Sequence, residues 1–151
     1  MRACVESSLR RLQVERLDLC YLHRIDPEVA LDDQIAVLQA LQEEGKIGHI
    51  GLSKVRPQDI RTVIKHQSVA AVQNVLNSTD SYDPAVELCG DLGIPYVAYR
   101  PLDAGTLARV YGPSGPLHWL LNHSPHIAPI PSTSRPQHLD AIVAAVQDGP
   151  T

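Results

Sequence analysis

His23 is the residue of this chain best placed to do chemistry. It ends the short apolar run Leu17–Leu22, LDLCYL, in which Leu17, Leu19 and Tyr21 alternate with Asp18, Cys20 and Leu22. The run is too short and too bounded for a helix and predicts a strand. An imidazole at the carboxyl end of a parallel strand can move a proton near neutral pH or polarise a carbonyl oxygen. The plainer alternative is a histidine that only hydrogen-bonds at the strand end. Polar residues also close the other apolar runs: Ser53–Lys54, Gln73–Asn74, Tyr99–Arg100 and Ser132–Thr133. Hydroxyls and amides can match an amide, an aromatic face can take a flat ring, and Lys54 or Arg100 can meet an anion. For Arg100, an ion pair with Asp103 is the plainer expectation.

The elements that must position these residues alternate regularly. Val5–Leu12 has helical spacing, with Val5, Leu9 and Leu12 on one face. Asp32–Glu44 predicts a helix with an inner stripe of Ile35, Leu38 and Leu41, stopped by Gly45. Ile47–Leu52 is the next strand. Pro57 opens a helix whose inner face is Ile60, Val63 and Ile64. Val69–Val75 is a strand, Pro84–Leu92 a helix closed by Gly93, and Ile94–Tyr99 another strand. A short helix over Leu117–Asn122 and a strand over His126–Ile130 follow. The last helix is Pro136–Val146, with Leu139, Ile142, Val143 and Val146 expected inside. No linker divides residues 1–151, so a single domain is expected.

Composition bounds the possibilities. The chain has 151 residues, 44% hydrophobic and 20% charged, enough for one compact core. A formal charge of -4 favours neither nucleic acid nor an anionic membrane as a partner. No apolar run reaches the roughly 18 to 20 residues needed to span a bilayer, and the N-terminus lacks a secretory h-region. Cys4, Cys20 and Cys89 are widely spaced in apolar surroundings, which predicts buried thiols in a reducing cytosol. His49 and Trp119 read as packed residues. His118 and His123 do not share one helical face cleanly, so no metal site is expected.

Strand–helix repetition with near-continuous apolar strands implies a parallel α/β sheet covered by helices. A doubly wound sheet would carry a glycine-rich loop after its first strand, whereas HRIDP follows Leu22. Polar residues converging from several strand ends fit a (β/α) barrel better.

The segments SLRRLQVERLDLCYLHR, LQALQEEGKIGHIGLS, AAVQN, YVAYRPL and IPSTSRPQHL occur in that order. Together they resemble the C-terminal part of an aldo-keto reductase. The resemblance covers almost the whole chain except Leu107–Gly115. It implies a partial (β/α)8 TIM-type barrel of about five parallel strands, corresponding to strands four to eight. It also implies NADP-linked carbonyl chemistry with an Asp, Tyr, Lys and His tetrad. His23 matches the tetrad histidine, while the other three members belong to strands before those matched here. The resemblance implies cofactor contacts at Ser53, Lys54, Gln73, Tyr99, Arg100, Ser132, Thr133 and Arg135. Departures are equally specific. Lys54 replaces the family's Asn, Arg100 its Ser, and Ala141 and Ile142 its adenine-contacting Glu and Asn. Ser134 stands where a basic residue is common, with Arg135 and His138 nearby. The loop after Leu102 is shortened, so the usual pyrophosphate clamp is not expected.

The resemblance implies a cytoplasmic NADP-linked oxidoreductase, or a remnant of one, acting on a small carbonyl or anionic ligand. Two alternatives stay open. One is a non-redox dehydration, isomerisation or cyclisation that uses His23 as acid or base. The other is a non-catalytic ligand-binding protein. Five strands leave two sheet edges, so a homo-oligomer or a partner chain covering them is expected.

Overall fold

A computed structural model describes residues 1–147. The elements run α1 (Arg2–Leu12), β1 (Leu17–Leu22), α2 (Leu31–Glu43), β2 (Ile47–Ser53), α3 (Pro57–Val63), β3 (Ala71–Val75), α4 (Pro84–Leu92) and β4 (Tyr96–Tyr99). A 3-10 turn at Asp103–Gly105, α5 (Thr106–Tyr111), α6 (Ser114–His123), β5 (Ile127–Pro129) and α7 (Pro136–Gln147) complete the chain. The strands are parallel, and the sheet takes them in the order β1-β2-β3-β4-β5. Two compact units emerge, Met1–Val72 and Gln73 onward.

In the first unit, β1 pairs with β2 in parallel from Leu17↔Ile47 to Leu22↔Leu52. The predicted α2 stripe holds: Ile35, Leu38 and Leu41 are fully buried, with Ile47, Ile50, Leu52, Ile60 and Val63. The glycines of IGHIG follow from close strand approach. A Cβ on Gly51 would lie 2.6 Å from the Tyr21 ring, and one on Gly48 would lie 2.8 Å from the Asp18 carbonyl oxygen. Between them His49 is exposed, not packed as its setting suggested, because strand alternation turns it away from Ile50. Buried Gln34 fastens the segment that follows His23. Its Nε2 donates to the carbonyls of Asp26 (3.0 Å) and Val29 (2.8 Å), and its Oε1 accepts from the Asp26 N–H (2.9 Å).

Helix α1 buries only Val5 and leaves Leu12 exposed, so the expected three-residue stripe is only partly used. Cys4 is likewise exposed, correcting its expected burial; Cys20 is half-buried and Cys89 buried. Ionic contacts supplement this shallow seat. The Lys46 ammonium lies 2.7 Å from Glu6 and 3.0 Å from Glu44, and the Arg2 guanidinium lies 2.7 Å from Glu44.

In the second unit, β4 pairs with β5 in parallel, Tyr96↔Ile127 to Ala98↔Pro129. Asp83 caps α4, its Oδ1 accepting from the Ala85 N–H (2.8 Å), with Pro84 at the first helical position. Its Oδ2 accepts from Asn74 Nδ2 on β3 (2.8 Å) and from the Tyr96 hydroxyl on β4 (2.7 Å). Burial, then the bond to Asp83, pushes the Tyr96 hydroxyl pKa up. Burial, with the nearby Asp83 charge, pushes the Cys89 thiol up to about 12. Gly93 ends α4 in the left-handed conformation, as predicted. His126 ties β5 to α4: Nε2 bonds the Val86 carbonyl (2.9 Å), while Nδ1 meets Ser124 Oγ (2.8 Å). The Val86 bond requires the Nε2–H form, so Nδ1 accepts from the serine. His118 Nε2 bonds the Ala145 carbonyl.

Three expectations change here. Residues 102–123 form a 3-10 turn and two helices rather than a loop and one short helix. Trp119 is half-buried, its ring 4.8 Å from that of His123. On α7 only Ile142 and Ala145 are buried, packed with Leu102 and Leu117; Leu139, Val143 and Val146 are exposed. The apolar stripe of α7 is wider than the surface offered to it by α6 and Leu102.

Two outcomes follow from these contacts. Arg2 and Lys46 hold the Glu44 carboxyl at about 2, below its ordinary 4.5. A depressed carboxylate stabilises the fold above its unfolded pKa and loses that contribution as pH falls toward the folded value. Urea midpoints measured from pH 5 to pH 2 should therefore fall less steeply in Glu44→Gln than in the wild type. Asp83→Ala removes a helix cap and the shared acceptor of the Asn74 amide and the Tyr96 hydroxyl, and should cost about 2 kcal/mol in the same assay.

Candidate functional site

The first unit presents three of the expected residues at strand exits. His23 directly follows β1 and is exposed, with no hydrogen-bond partner among the described residues. Its imidazole is thus available to a ligand; the strand-end hydrogen bond offered as the plainer alternative is not seen. Ser53 closes β2 and is buried. Lys54 follows in the left-handed region, φ 54°, exposed to solvent. Asn, the residue of the family pattern, visits that region more readily than Lys. A cation thus stands in a backbone conformation that an asparagine adopts more readily.

The second unit carries the rest. Gln73 lies within β3, half-buried, on the face opposite Asn74. Tyr99 is the last residue of β4 and half-buried. Arg100 then enters the left-handed region at φ 54°. That conformation is secured from β3's exit: buried Asn77 donates from Nδ2 to the Arg100 carbonyl (3.1 Å), and the Leu76 N–H bonds the Tyr99 carbonyl (3.4 Å). Asn77 is itself fixed, its Oδ1 accepting from the Thr79 N–H and hydroxyl and the Asp80 N–H. The expected Arg100–Asp103 ion pair does not form. The two residues share only a main-chain bond, Asp103 N–H to the Arg100 carbonyl (3.0 Å), which closes a turn and leaves the guanidinium exposed.

An open cleft of about 1110 Å³ lies wholly within this unit. One wall runs from Arg100 through the 3-10 turn to Arg109 on α5; the other runs from Ile130 through Ser132 and Thr133 to Arg135 and His138. Leu102, Ala108 and Ile142 supply apolar surface. Arg100, Arg109 and Arg135 make no ion pair among the described residues, and no Asp or Glu lines the cleft. A lining with three arginines and no carboxylate favours an anionic ligand over a cationic one. Thr133 Oγ1 accepts from the Arg135 N–H (3.1 Å), shaping the turn into α7.

The structure thus brings Arg100, Ser132, Thr133 and Arg135 into one cleft. It leaves Gln73 and Tyr99 on strands outside the cleft's lining. Arg109 is the residue that sequence reading missed. It lies in the one stretch that no motif covered, where the signal was only a basic residue in a short helical pattern. Among the described residues no group of His, Cys, Asp and Glu could hold a metal ion.

The Aldo/keto reductase family model matches residues 1–118, from α1 into α6; Ser132–His138 lie beyond the match. Among curated proteins, an uncharacterised oxidoreductase of Schizosaccharomyces pombe is 36% identical over 96% of this chain and 52% of its own length. A probable aldo-keto reductase of Glycine max is 41% identical over 70% of this chain and 31% of its own. The chain thus spans about half, or less, of the length of these relatives. A thermostable aldo-keto reductase solved with the inhibitor epalrestat superposes with TM-score 0.81 at 25% identity, covering 95% of this chain and 59% of that one. A Klebsiella pneumoniae aldo-keto reductase solved with NADPH gives 0.78 at 25% identity, over 95% and 57%. The parallel α/β sheet described above is therefore part of the (β/α)8 fold of these proteins. By its motifs, its strands and its relatives, the chain belongs to the aldo/keto reductase family.

Proposed function

We propose that these residues form the cofactor-holding part of an NADP(H)-linked carbonyl oxidoreductase. The observation that carries this reading is the cleft of the second unit: three guanidiniums and an imidazole, no carboxylate, and an apolar surface beside them. Such a lining suits a phosphate-bearing nucleotide, whose anionic groups meet arginines while its ring lies on aliphatic side chains. Two Klebsiella pneumoniae relatives were solved with NADPH or with NADP and acetate, which supports the same cofactor here.

In this reading Arg135, with Ser132 and Thr133, binds a terminal phosphate, and Arg100 and Arg109 neutralise further phosphate charge. Leu102, Ala108 and Ile142 take the ring that the family's Glu and Asn would otherwise contact. Gln73 matches an amide and Tyr99 offers an aromatic face. Ser53 serves as a hydroxyl partner, and Lys54 adds positive charge at its strand exit. When bound, NADP(H) supplies or takes up the hydride. His23 orients and polarises the carbonyl oxygen, while none of the residues assigned here serves as the proton donor of the family's tetrad. A reducing cytosol suits the three free cysteines. Among the described residues no helix is long and apolar enough to cross a membrane.

Calorimetric titration of the purified chain with NADPH and with NADH tests this. Saturable NADPH binding, weaker for NADH and steeply reduced by salt, is the expected result. Arg135→Ala and Arg109→Ala should each weaken NADPH binding about tenfold. Absence of saturable binding by the folded chain, or affinities indifferent to all the arginine substitutions, would overturn the reading.

A further inference from the structure

We infer that the cleft of the second unit recognises a nucleotide by its phosphate charge and the flat face of its base, and does not select which purine is attached. The inference rests on the cofactor reading of the same cleft. It defines the ligand class: phosphorylated purine nucleotides, with adenine and hypoxanthine accepted alike.

The first observation is the hydrogen-bonding character of the lining. An adenine edge offers an N6 amino donor beside the N7 acceptor, whereas guanine and hypoxanthine carry an O6 acceptor in place of that donor. Telling them apart takes a side chain with a fixed acceptor: the amide of Asn or Gln, or a carboxylate. No Asn, Gln, Asp or Glu lines the cleft among the described residues. Arg100, Arg109 and Arg135 can only donate. Thr133 Oγ1 already accepts from the Arg135 N–H. The hydroxyls of Ser132 and Ser134 donate or accept as a partner requires, and the exposed imidazole of His138 does the same by changing tautomer. None of these side chains is a dedicated acceptor for an adenine amino group.

The second observation is where the fixed acceptors stand instead. On α7 the residues that line the cleft are His138, Ala141 and Ile142, three and four apart and so on one side of the helix. Gln137 and Asp140, their neighbours in the chain, are exposed and outside the lining. The other wall repeats this: Leu102 and Ala104 line the cleft, while Asp103 between them does not. Ile142 is packed with Leu102 and Leu117, and Ala108 packs against the same cluster. The surface able to meet a ring is therefore aliphatic. Covering a purine face with aliphatic side chains is indifferent to the atoms at its edge. In an open cleft that edge keeps its water, so exchanging an amino group for a carbonyl breaks no buried hydrogen bond. The arginines act on the phosphates, which both nucleotides share.

Calorimetric titration of the purified chain with NADPH and with its hypoxanthine analogue, which carries O6 in place of the N6 amino group, tests this. The two dissociation constants are expected to agree within about threefold. A site that used the amino group would lose about tenfold or more on the exchange. NADPH favoured by that factor would overturn the inference and leave the cofactor reading standing. Failure of both nucleotides to saturate would overturn the cofactor reading and the inference together. Arg135→Ala, at an exposed position, should weaken both nucleotides by the same factor. Unequal weakening would mean that the base is read through the guanidinium, and would also overturn the inference. If Arg135→Ala loses its helical circular dichroism, Arg109→Ala replaces it with the same expected equality.

Discussion

A single carboxylate organises the second unit. Asp83 receives an amide from β3, a hydroxyl from β4 and a main-chain N–H from α4. Each partner belongs to a different element, so one side chain sets the relation among three. The arrangement leaves no buried side-chain N or O without a partner among the described residues. In a poorly polarisable interior, a fully satisfied network of this kind favours one geometry over near alternatives. Gln73 within β3, and Asn77, Tyr99 and Arg100 at the exits of β3 and β4, inherit their positions from it.

Some of the cations of the first unit are paired, whereas those of the cleft are not, among the described residues. In the first, Arg2 and Lys46 are engaged by Glu6 and Glu44, and Arg16 and Arg56 lie near Asp18 and Asp59. These are surface pairs and contribute little each. In the second, the arginines of the cleft are left without acids. Pairing them would have been the cheaper use of a guanidinium in a protein that carries more acids than bases. Where the acids are absent is thus more informative about binding than the total charge, which is mildly negative.

Much of this was legible in the sequence because the strands are short, apolar and bounded. Leu17–Leu22 and Pro84–Leu92 have the limits that periodicity and Gly93 indicated, and the α2 stripe is buried as its spacing required. Strand exits also announced themselves, since each apolar run ends in polar residues. Three things were hidden. Gly112 and Pro113 sit between α5 and α6, and their turn-forming character masked two short helices held by tertiary packing. Arg109 was lost with them. The core of α7 was misread because periodicity reports which side of a helix is apolar, not how much of that side this chain can cover. The isolated ion-pair expectation for Arg100 failed for a related reason: closeness in sequence to Asp103 does not survive a left-handed turn between strand and helix.

That turn has a mechanical consequence. Arg100, Asp103 and Ala104 all adopt positive φ without being glycine, within five residues of one cleft wall. Each conformation costs roughly 1–2 kcal/mol relative to ordinary backbone. The wall is therefore held under tension, with the Asn77 amide and the Asp103 main-chain bond as its catches. Breaking a catch costs its hydrogen bond, and relief of the strained backbone offsets part of that cost. The strained backbone thus lies on the wall that carries Arg100, while the sheet beneath is pinned through Asp83.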